Sequence, residues 1–260
     1  MRTPSPFISR YEIKYLIPET LAPEISRWLR LYAVHDPHTP PSHRMQYTVR
    51  SIYFDTPSLE FYYQKLDGIK VRKKLRIRTY GHVKDFAFLE IKRRFIDIVV
   101  KERAKFHTTE LEELFEEGHR LLADHSPVPY KSRLVAGKFL YSLVKMPLLP
   151  TLLVVYEREA FLHPLARYQR ATVDMNMRYV MHPDLVDLFH TDGAVRWNQP
   201  NAILELKFND FMPKWMRRLE AEYGLRQQAI SKYCYGIDVC QQDIHKEVSA
   251  CRQTFWKLSS

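Results

Sequence analysis

The stretch Lys70-Val71-Arg72-Lys73-Lys74-Leu75-Arg76-Ile77-Arg78-Thr79-Tyr80 decides how the chain is read. Side chains of a β-strand alternate between faces, so Lys70, Arg72, Lys74, Arg76 and Arg78 share one side while Val71, Leu75 and Ile77 share the other. Lys73 alone breaks the apolar row. Wound as a helix, the same residues scatter their cations around the cylinder and leave no apolar stripe at helical spacing. A row of like charges repels itself, so interleaved carboxylates or a bound anion are expected to face it. The competing reading is a solvated edge strand whose lysines guard against aggregation. One strand does not choose between them; recurrence of the pattern does.

Toward the N-terminus, Arg10-Tyr11-Glu12-Ile13-Lys14-Tyr15 alternates in the same way, with Arg10, Glu12 and Lys14 on one face. Pro18-Glu19-Thr20 opens an amphipathic helix to about Tyr32, with Leu21, Ile25, Trp28 and Leu29 on one side. A strand over Tyr47–Asp55 carries Ser51, Tyr53 and Asp55 on one face; a short aromatic helix, Ser58–Leu66, and an Asp67-Gly68 turn follow. Beyond the basic strand come a Gly81-His82 turn, a strand Phe86–Arg93 in which Glu90 and Lys92 share a face, and a strand Ile96–Val100 ending in Lys101-Glu102-Arg103. Thr108-Thr109-Glu110 caps a helix, and helical pieces over 119–123 and 131–144 are separated by Pro127 and Pro129. A second β-rich region then contributes Leu152–Phe161, with Val154, Tyr156 and Arg158 on one face, Arg170–Asp174, and Asn201–Phe208. Helices from Met212-Pro213 to Tyr223 and from Ser231-Lys232-Tyr233 close the chain.

Composition bounds the function. The 260 residues are 45% hydrophobic and 27% charged, the proportions of an ordinary globular protein. With 7 glycines and neither G-x-x-x-x-G-K-[ST] nor G-x-G-x-x-G, a P-loop or Rossmann nucleotide site is disfavoured. The net charge of +10 attracts polyanions: nucleic acid, phosphorylated small molecules or acidic membranes. Cys234, Cys240 and Cys251 form no C-x-x-C and suit no disulfide framework, which points to a reducing compartment. The N-terminus lacks an apolar h-region and no apolar run reaches a membrane span, so a cytoplasmic protein is expected, tethered to a membrane only through a partner if at all. His35, His38 and His43 lie in a Pro-rich stretch over 33–46 with no carboxylate–histidine ligand spacing, and read as surface loop.

The two halves rhyme, Leu89-Glu90-Ile91-Lys92 against Leu204-Glu205-Leu206-Lys207. Strands this apolar on one side and this charged on the other turn the charged side to solvent or to an enclosed cavity. The fold class expected is α+β: about eight antiparallel strands with helices packed outside, enough to close into a β-barrel tunnel with a polar interior if the charged faces turn inward. Its interior then holds Lys14, Arg76, Arg78, Lys92, Lys101, Arg158 and Arg170, with Glu12, Glu90, Asp174 and Glu205 among them. Unpaired buried cations are costly, and phosphates gripped by arginine forks satisfy them. Carboxylates fewer than the cations suit a divalent metal held beside a phosphate chain.

These motifs carry a resemblance. Tyr11-Glu12-Ile13-Lys14-Tyr15, Ser51-Ile52-Tyr53-Phe54-Asp55, Leu75-Arg76-Ile77-Arg78, Leu89-Glu90-Ile91-Lys92, Tyr156-Glu157-Arg158, Arg170-Ala171-Thr172-Val173-Asp174, Leu204-Glu205-Leu206-Lys207 and Ser231-Lys232-Tyr233 come in the order of the VTC domain. The chain thus resembles the polyphosphate polymerase module of the vacuolar transporter chaperone family, in the triphosphate tunnel metalloenzyme (CYTH-like) superfamily. The resemblance implies one tunnel domain over residues 1–260, with a core of about 7–240, a helical insertion of about 107–146 and C-terminal helices of about 213–256. It implies transfer of the ATP γ-phosphoryl group to a growing inorganic polyphosphate chain, with Mn²⁺ or Mg²⁺ as cofactor and no nucleic acid partner. By position, Arg76, Arg78, Lys92, Arg158 and Arg170 are the expected catalytic cations. Lys14, Lys74, Lys101, Tyr156, Ser231 and Lys232 are the expected phosphate ligands, and Glu205, with Glu12 and Asp174, is the expected metal site.

The chain departs from the tunnel triphosphatases and CYTH cyclases in its first strand, where their E-x-E-x-K pattern has Arg10 in the first acid's place. That favours the polymerase over a triphosphatase or nucleotide cyclase; a non-catalytic polyanion-binding module, with its cations and aromatics on an open surface, stands beside it as the non-enzymatic alternative. Bland readings accompany several residues: Tyr53, Tyr156 and Tyr233 as core or rim aromatics, Glu90 as partner of a neighbouring cation, Lys207 as structural partner of Glu205, and Ser231 as a helix cap.

Overall fold

The computed structural model describes residues 10–37, 39, 45–81, 85–96, 98–117, 122–123, 126 and 128–242. Its strands are β1 (Arg10–Pro18), β2 (Val34–His35), β3 (Tyr47–Asp55), β4 (Val71–Tyr80), β5 (Phe86–Phe95), β6 (Ile98–His107), β7 (Leu149–Leu162), β8 (Arg170–Met181), β9 (Val195–Arg196) and β10 (Asn201–Asn209). Its α-helices are α1 (Ala22–Leu29), α2 (Glu60–Leu66), α3 (Thr108–Glu116), α4 (Tyr130–Lys145), α5 (Lys214–Glu222) and α6 (232–242). Hydrogen-bonded strands follow the order β1-β10-β8-β7-β3-β4-β5-β6, with β2 added on β7 and β9 on β8. The expected α+β class and antiparallel sheet of about eight main strands are present.

The chain forms two compact units: Met1–Val49, Val155–Met177 and Gln199–Ile230 in the first, and Arg50–Val154, Arg178–Asn198 and Ser231–Ser260 in the second. In the first, β10 pairs with β1 and β8 so that Ile13, Leu206 and Ala171 lie side by side, as do Tyr15, Leu204 and Val173. This apolar face packs with Ile25, Trp28 and Leu29 of α1 and Trp215, Met216 and Leu219 of α5 in one buried cluster. The helix expected to start at Pro18 begins as a single 3-10 turn, Glu19–Leu21, and becomes α-helical from Ala22, with Pro23 in its first turn where a missing N–H is harmless.

In the second unit, β4, β5 and β6 form a three-stranded antiparallel ladder. Leu75, Ile77, Leu89, Ile91, Ala104 and Phe106 are buried on one face, and α4 lies against β5 and β6. Lys73, the charge that breaks the apolar row of β4, donates its Nζ proton to Ser142 Oγ of α4 at 2.7 Å. Asp55, fully buried at the end of β3, accepts from the amides of Thr56, Phe61 and Tyr62 at 2.8, 2.8 and 3.0 Å and from Tyr233 Oη at 2.6 Å. One carboxylate thereby fastens the start of α2 and the first turn of α6 to the sheet. The Asp67-Gly68 turn is present, with Gly68 at φ 69° where a side chain would be strained.

Several elements differ from expectation. Strand β6 runs on to His107 because Ala104 and Phe106 continue its buried row opposite Leu89 and Ala87. Strand β8 likewise extends to Met181, and the two-residue β2 and β9 have no periodic signal to read. His35, expected in a surface loop, pairs in β2 with Phe161 of β7. The α3 cap is His107 rather than Thr108, closing a box with Glu110. His38, His43, Cys251, much of 119–123 and the C-terminal helix beyond 242 lie outside the described residues.

Candidate functional site

The polar face of the β4–β5–β6 ladder is a field of cations. Strand register sets Arg72, Arg94 and Val99 in one row, Lys74, Lys92 and Lys101 in the next, then Arg76, Glu90 and Arg103, then Arg78, Phe88 and Lys105. Nine of these twelve positions are Lys or Arg and one is a carboxylate. Directly opposed residues have Cβ atoms about 5 Å apart, and unit charges held at that spacing repel by about 3 kcal/mol at an effective dielectric near 20. A surface built this way carries a strongly positive field.

Glu90, 1% exposed, is the internal counter-ion. Arg76 reaches its Oε2 at 2.5 Å, and Lys101 and Arg103 reach Oε1 at 2.9 and 3.0 Å. Burial alone would raise its pKa, but Arg76, Arg78 and Lys101 outweigh burial and hold the carboxyl well below the ordinary 4.5. Glu90 is a partner for cations here.

Arg78 is buried and donates its Nε–H to Ser51 Oγ at 2.8 Å. Arg76 Nη1 donates to Tyr53 Oη at 3.1 Å, and Lys74 Nζ donates to Ser231 Oγ at 2.7 Å. Ser231 Oγ also accepts the Cys234 amide at 3.4 Å, so the residue both caps α6 and touches the cation row. Lys232, in the first turn of α6, is 9% exposed. Burial works to raise the Tyr53 pKa, yet Arg76, Arg78 and Lys232 overcome it and bring the phenol down to about 7. Of the residues singled out from sequence, the second unit therefore gathers Lys74, Arg76, Arg78, Lys92, Lys101, Ser231 and Lys232.

The first unit gathers the others. Its polar rows are Glu12, Lys207 and Arg170, then Lys14, Glu205 and Thr172. Glu12 and Glu205 share the same two ammonium groups: Lys14 Nζ lies 2.9 Å from Glu12 and 3.7 Å from Glu205, while Lys207 Nζ lies 3.7 Å from Glu12 and pairs directly with Glu205. Lys14 also donates to the Ile230 carbonyl at 3.4 Å. Arg158 grips Asp174 with both prongs, Nε to Oδ1 at 2.6 Å and Nη2 to Oδ2 at 2.8 Å. Burial opposes the Arg158 charge, but Asp174, Tyr156 and Glu205 keep its pKa well above the ordinary value. Its Nη2 also donates to Tyr156 Oη at 3.3 Å. Arg170 is exposed, with Nε on the Arg167 carbonyl at 3.3 Å. Thr172 Oγ1, next to Glu205 in register, is buried with no hydrogen-bond partner among the described residues. No group of three or more His, Cys, Asp or Glu side chains suited to a metal occurs among the described residues.

Sequence reading left Arg103, Lys105, Arg72 and Arg94 out of the candidate site residues, although it placed Arg72 on the charged side of its strand. The first two were legible in Lys101-Glu102-Arg103-Ala104-Lys105-Phe106, whose alternation simply continues the strand. Tyr53 was weighed as a core aromatic; its place beside Arg76 depends on β3 lying next to β4, which no local pattern reports.

A family model described as VTC domain matches residues 9–241. No curated protein matches the chain. Among solved structures, one similar chain is a putative adenylate cyclase from Bacillus halodurans, at 11% identity and a TM-score of 0.48, covering 85% of this chain and 92% of that one. Another is the PH1819 protein from Pyrococcus horikoshii OT3, at 14% identity and a TM-score of 0.45, covering 88% of this chain and 99% of that one. With a family match that spans nearly all of its length, this chain belongs to the VTC domain family.

Proposed function

We propose that the protein is a metal-dependent phosphotransferase that moves the ATP γ-phosphoryl group onto inorganic polyphosphate. The observation that carries this reading is the β4–β5–β6 face, where Lys74, Lys92 and Lys101 stand directly opposed and Glu90 is the one carboxylate in the described rows. A chain of linked phosphates presents anionic oxygens at short, regular spacing and neutralises such a face row by row. Arg76 and Arg78 clamp phosphate oxygens, while Lys74, Lys92, Lys101 and Lys232 supply point charges. Phosphoryl transfer asks for positioning and charge neutralisation, and the acceptor, a terminal phosphate, is already anionic, so no strong general base is needed. No helix among the described residues is long and apolar enough to cross a membrane.

The donor set of the first unit fits a divalent cation. Glu12 and Glu205 already converge on shared cations, and Thr172 Oγ1 beside them has no hydrogen-bond partner among the described residues. Magnesium and manganese accept one or two carboxylates and complete their shells with water and phosphate oxygens. Glu205 and Glu12 would hold the ion, which when bound neutralises charge on phosphate oxygens. Asp174 is assigned to Arg158, because both its oxygens are committed there. Arg158 and, at the exposed end of β8, Arg170 are the remaining cations proposed to act on phosphate.

The test is to incubate purified protein with ATP and Mn²⁺ and resolve the products on a gel. A ladder of polyphosphate is expected. Orthophosphate or diphosphate alone would make the protein a hydrolase, cyclic nucleotide would make it a cyclase, and tight polyphosphate binding without turnover would make it a binding module. Arg76→Ala and Glu205→Ala should each abolish the ladder; wild-type turnover in both would overturn these assignments.

A further inference from the structure

Two tyrosines stack in the second unit, Tyr53 on Tyr233, with ring centroids 5.3 Å apart. They are equally buried, at 6% and 2% exposure, but their hydroxyls are treated differently. Tyr233 donates its proton to Asp55 at 2.6 Å. Tyr53 Oη accepts from Arg76 Nη1 at 3.1 Å, and among the described residues nothing accepts its own proton. Buried phenols as a rule find an acceptor. The groups facing Tyr53 are cationic: Arg76 and Arg78 from β4 and Lys232 from α6. Glu90 of β5 reaches it only through Arg76, Ser51 on its own strand is taken by Arg78, and Asp55 is taken by amides and Tyr233. Among the described residues these donors leave the Tyr53 proton without an acceptor.

We propose that Tyr53 is a phosphate ligand, its hydroxyl donating to an oxygen of a bound tri- or polyphosphate that Arg76, Arg78 and Lys232 hold. The proposal rests on the phosphate-chain reading above and adds to it a neutral donor among the cations. It also has a proton-linked consequence. In the free protein the surrounding cations bring the phenol down to about 7. A bound phosphate chain cancels those charges and requires the phenol to be protonated, so its pKa rises on binding. Above that free value, binding takes up a proton, and affinity falls by up to about tenfold per pH unit.

Tyr53→Phe keeps the ring and its stack and deletes only the hydroxyl. Isothermal titration with sodium tripolyphosphate, without metal, at about pH 6 and about pH 8.5 in two buffers of different ionisation heat, measures affinity and proton uptake together. At the lower pH the variant should bind about 10- to 100-fold more weakly than wild type, the worth of a hydrogen bond to a charged group. At the higher pH the gap should narrow, and wild type should take up close to one proton more than the variant. The tyrosinate absorbance of wild type at the higher pH should drop on adding tripolyphosphate, a readout that needs no variant. Equal affinities with equal proton uptake, or a uniform weakening at both pH values with no change in tyrosinate absorbance, would overturn the assignment of Tyr53. Failure of wild type to bind tripolyphosphate at either pH would instead overturn the phosphate-chain reading itself.

Discussion

Glu90→Gln isolates the electrostatic balance of the cation face. The substitution keeps the shape of the side chain and removes the one negative charge shared by Arg76, Lys101 and Arg103. Deleting one member of a buried ion pair costs roughly 3–5 kcal/mol. The side chains of Arg76, Lys101 and Arg103 keep 23%, 47% and 38% of their exposure, so water relieves them and the lower end applies, about 3 kcal/mol. Against a typical domain stability of roughly 5–15 kcal/mol, that is a large loss. Urea unfolding at neutral pH, followed both by tryptophan fluorescence and by far-UV dichroism because the chain has two compact units, measures it. Tripolyphosphate should restore much of the lost stability, since the variant presents three cations without their counter-ion. The difference between wild type and variant also has a predicted pH dependence. Glu90 titrates below its ordinary 4.5 in the folded protein, so its contribution is complete above that value and fades as pH falls toward the depressed one. An unchanged urea midpoint, or loss of tripolyphosphate binding in the variant, would refute the reasoning.

Other perturbations separate the roles of neighbouring residues. Lys73→Met should leave tripolyphosphate affinity unchanged and stability within about 1 kcal/mol, because Lys73 lies on the apolar face against Ser142; titration calorimetry and a thermal melt check this. Asp55→Asn should cost about 2–4 kcal/mol in urea unfolding, since a fully buried carboxylate that accepts three amides and a phenol is replaced by a group with half its acceptors. Arg158→Lys should reduce turnover at least about tenfold, because a lysine cannot reproduce the two-pronged contact with Asp174; a steady-state assay with ATP reads the loss.

Strand-level patterning was legible because alternation is local. Val71 to Tyr80 carries it with Lys73 as the one break, and that strand and the one over Tyr47 to Asp55 both fall where their residues say. What alternation does not contain is who lies opposite whom. The opposition of Lys74, Lys92 and Lys101, the three-way claim on Glu90, and the commitment of Asp174 to Arg158 are properties of register between strands. Lys73 shows the same limit from the other side: it reads as a flaw in an apolar row until α4 supplies Ser142. Arg103 and Lys105 were missed for a simpler reason, a strand ended too early at its first charged cluster. Tyr53 reads as a core or rim aromatic because nothing local distinguishes a tyrosine whose proton has an acceptor, as in Tyr233, from one whose proton has none among the described residues.

A crystal structure of the protein soaked with sodium tripolyphosphate and Mn²⁺ tests the central claim most directly. Phosphate oxygens within hydrogen-bonding distance of Arg76, Arg78 and Lys232 are the predicted result. Well-ordered tripolyphosphate bound elsewhere, with Arg76, Lys101 and Arg103 still gathered on Glu90 and no phosphate beside them, would contradict it.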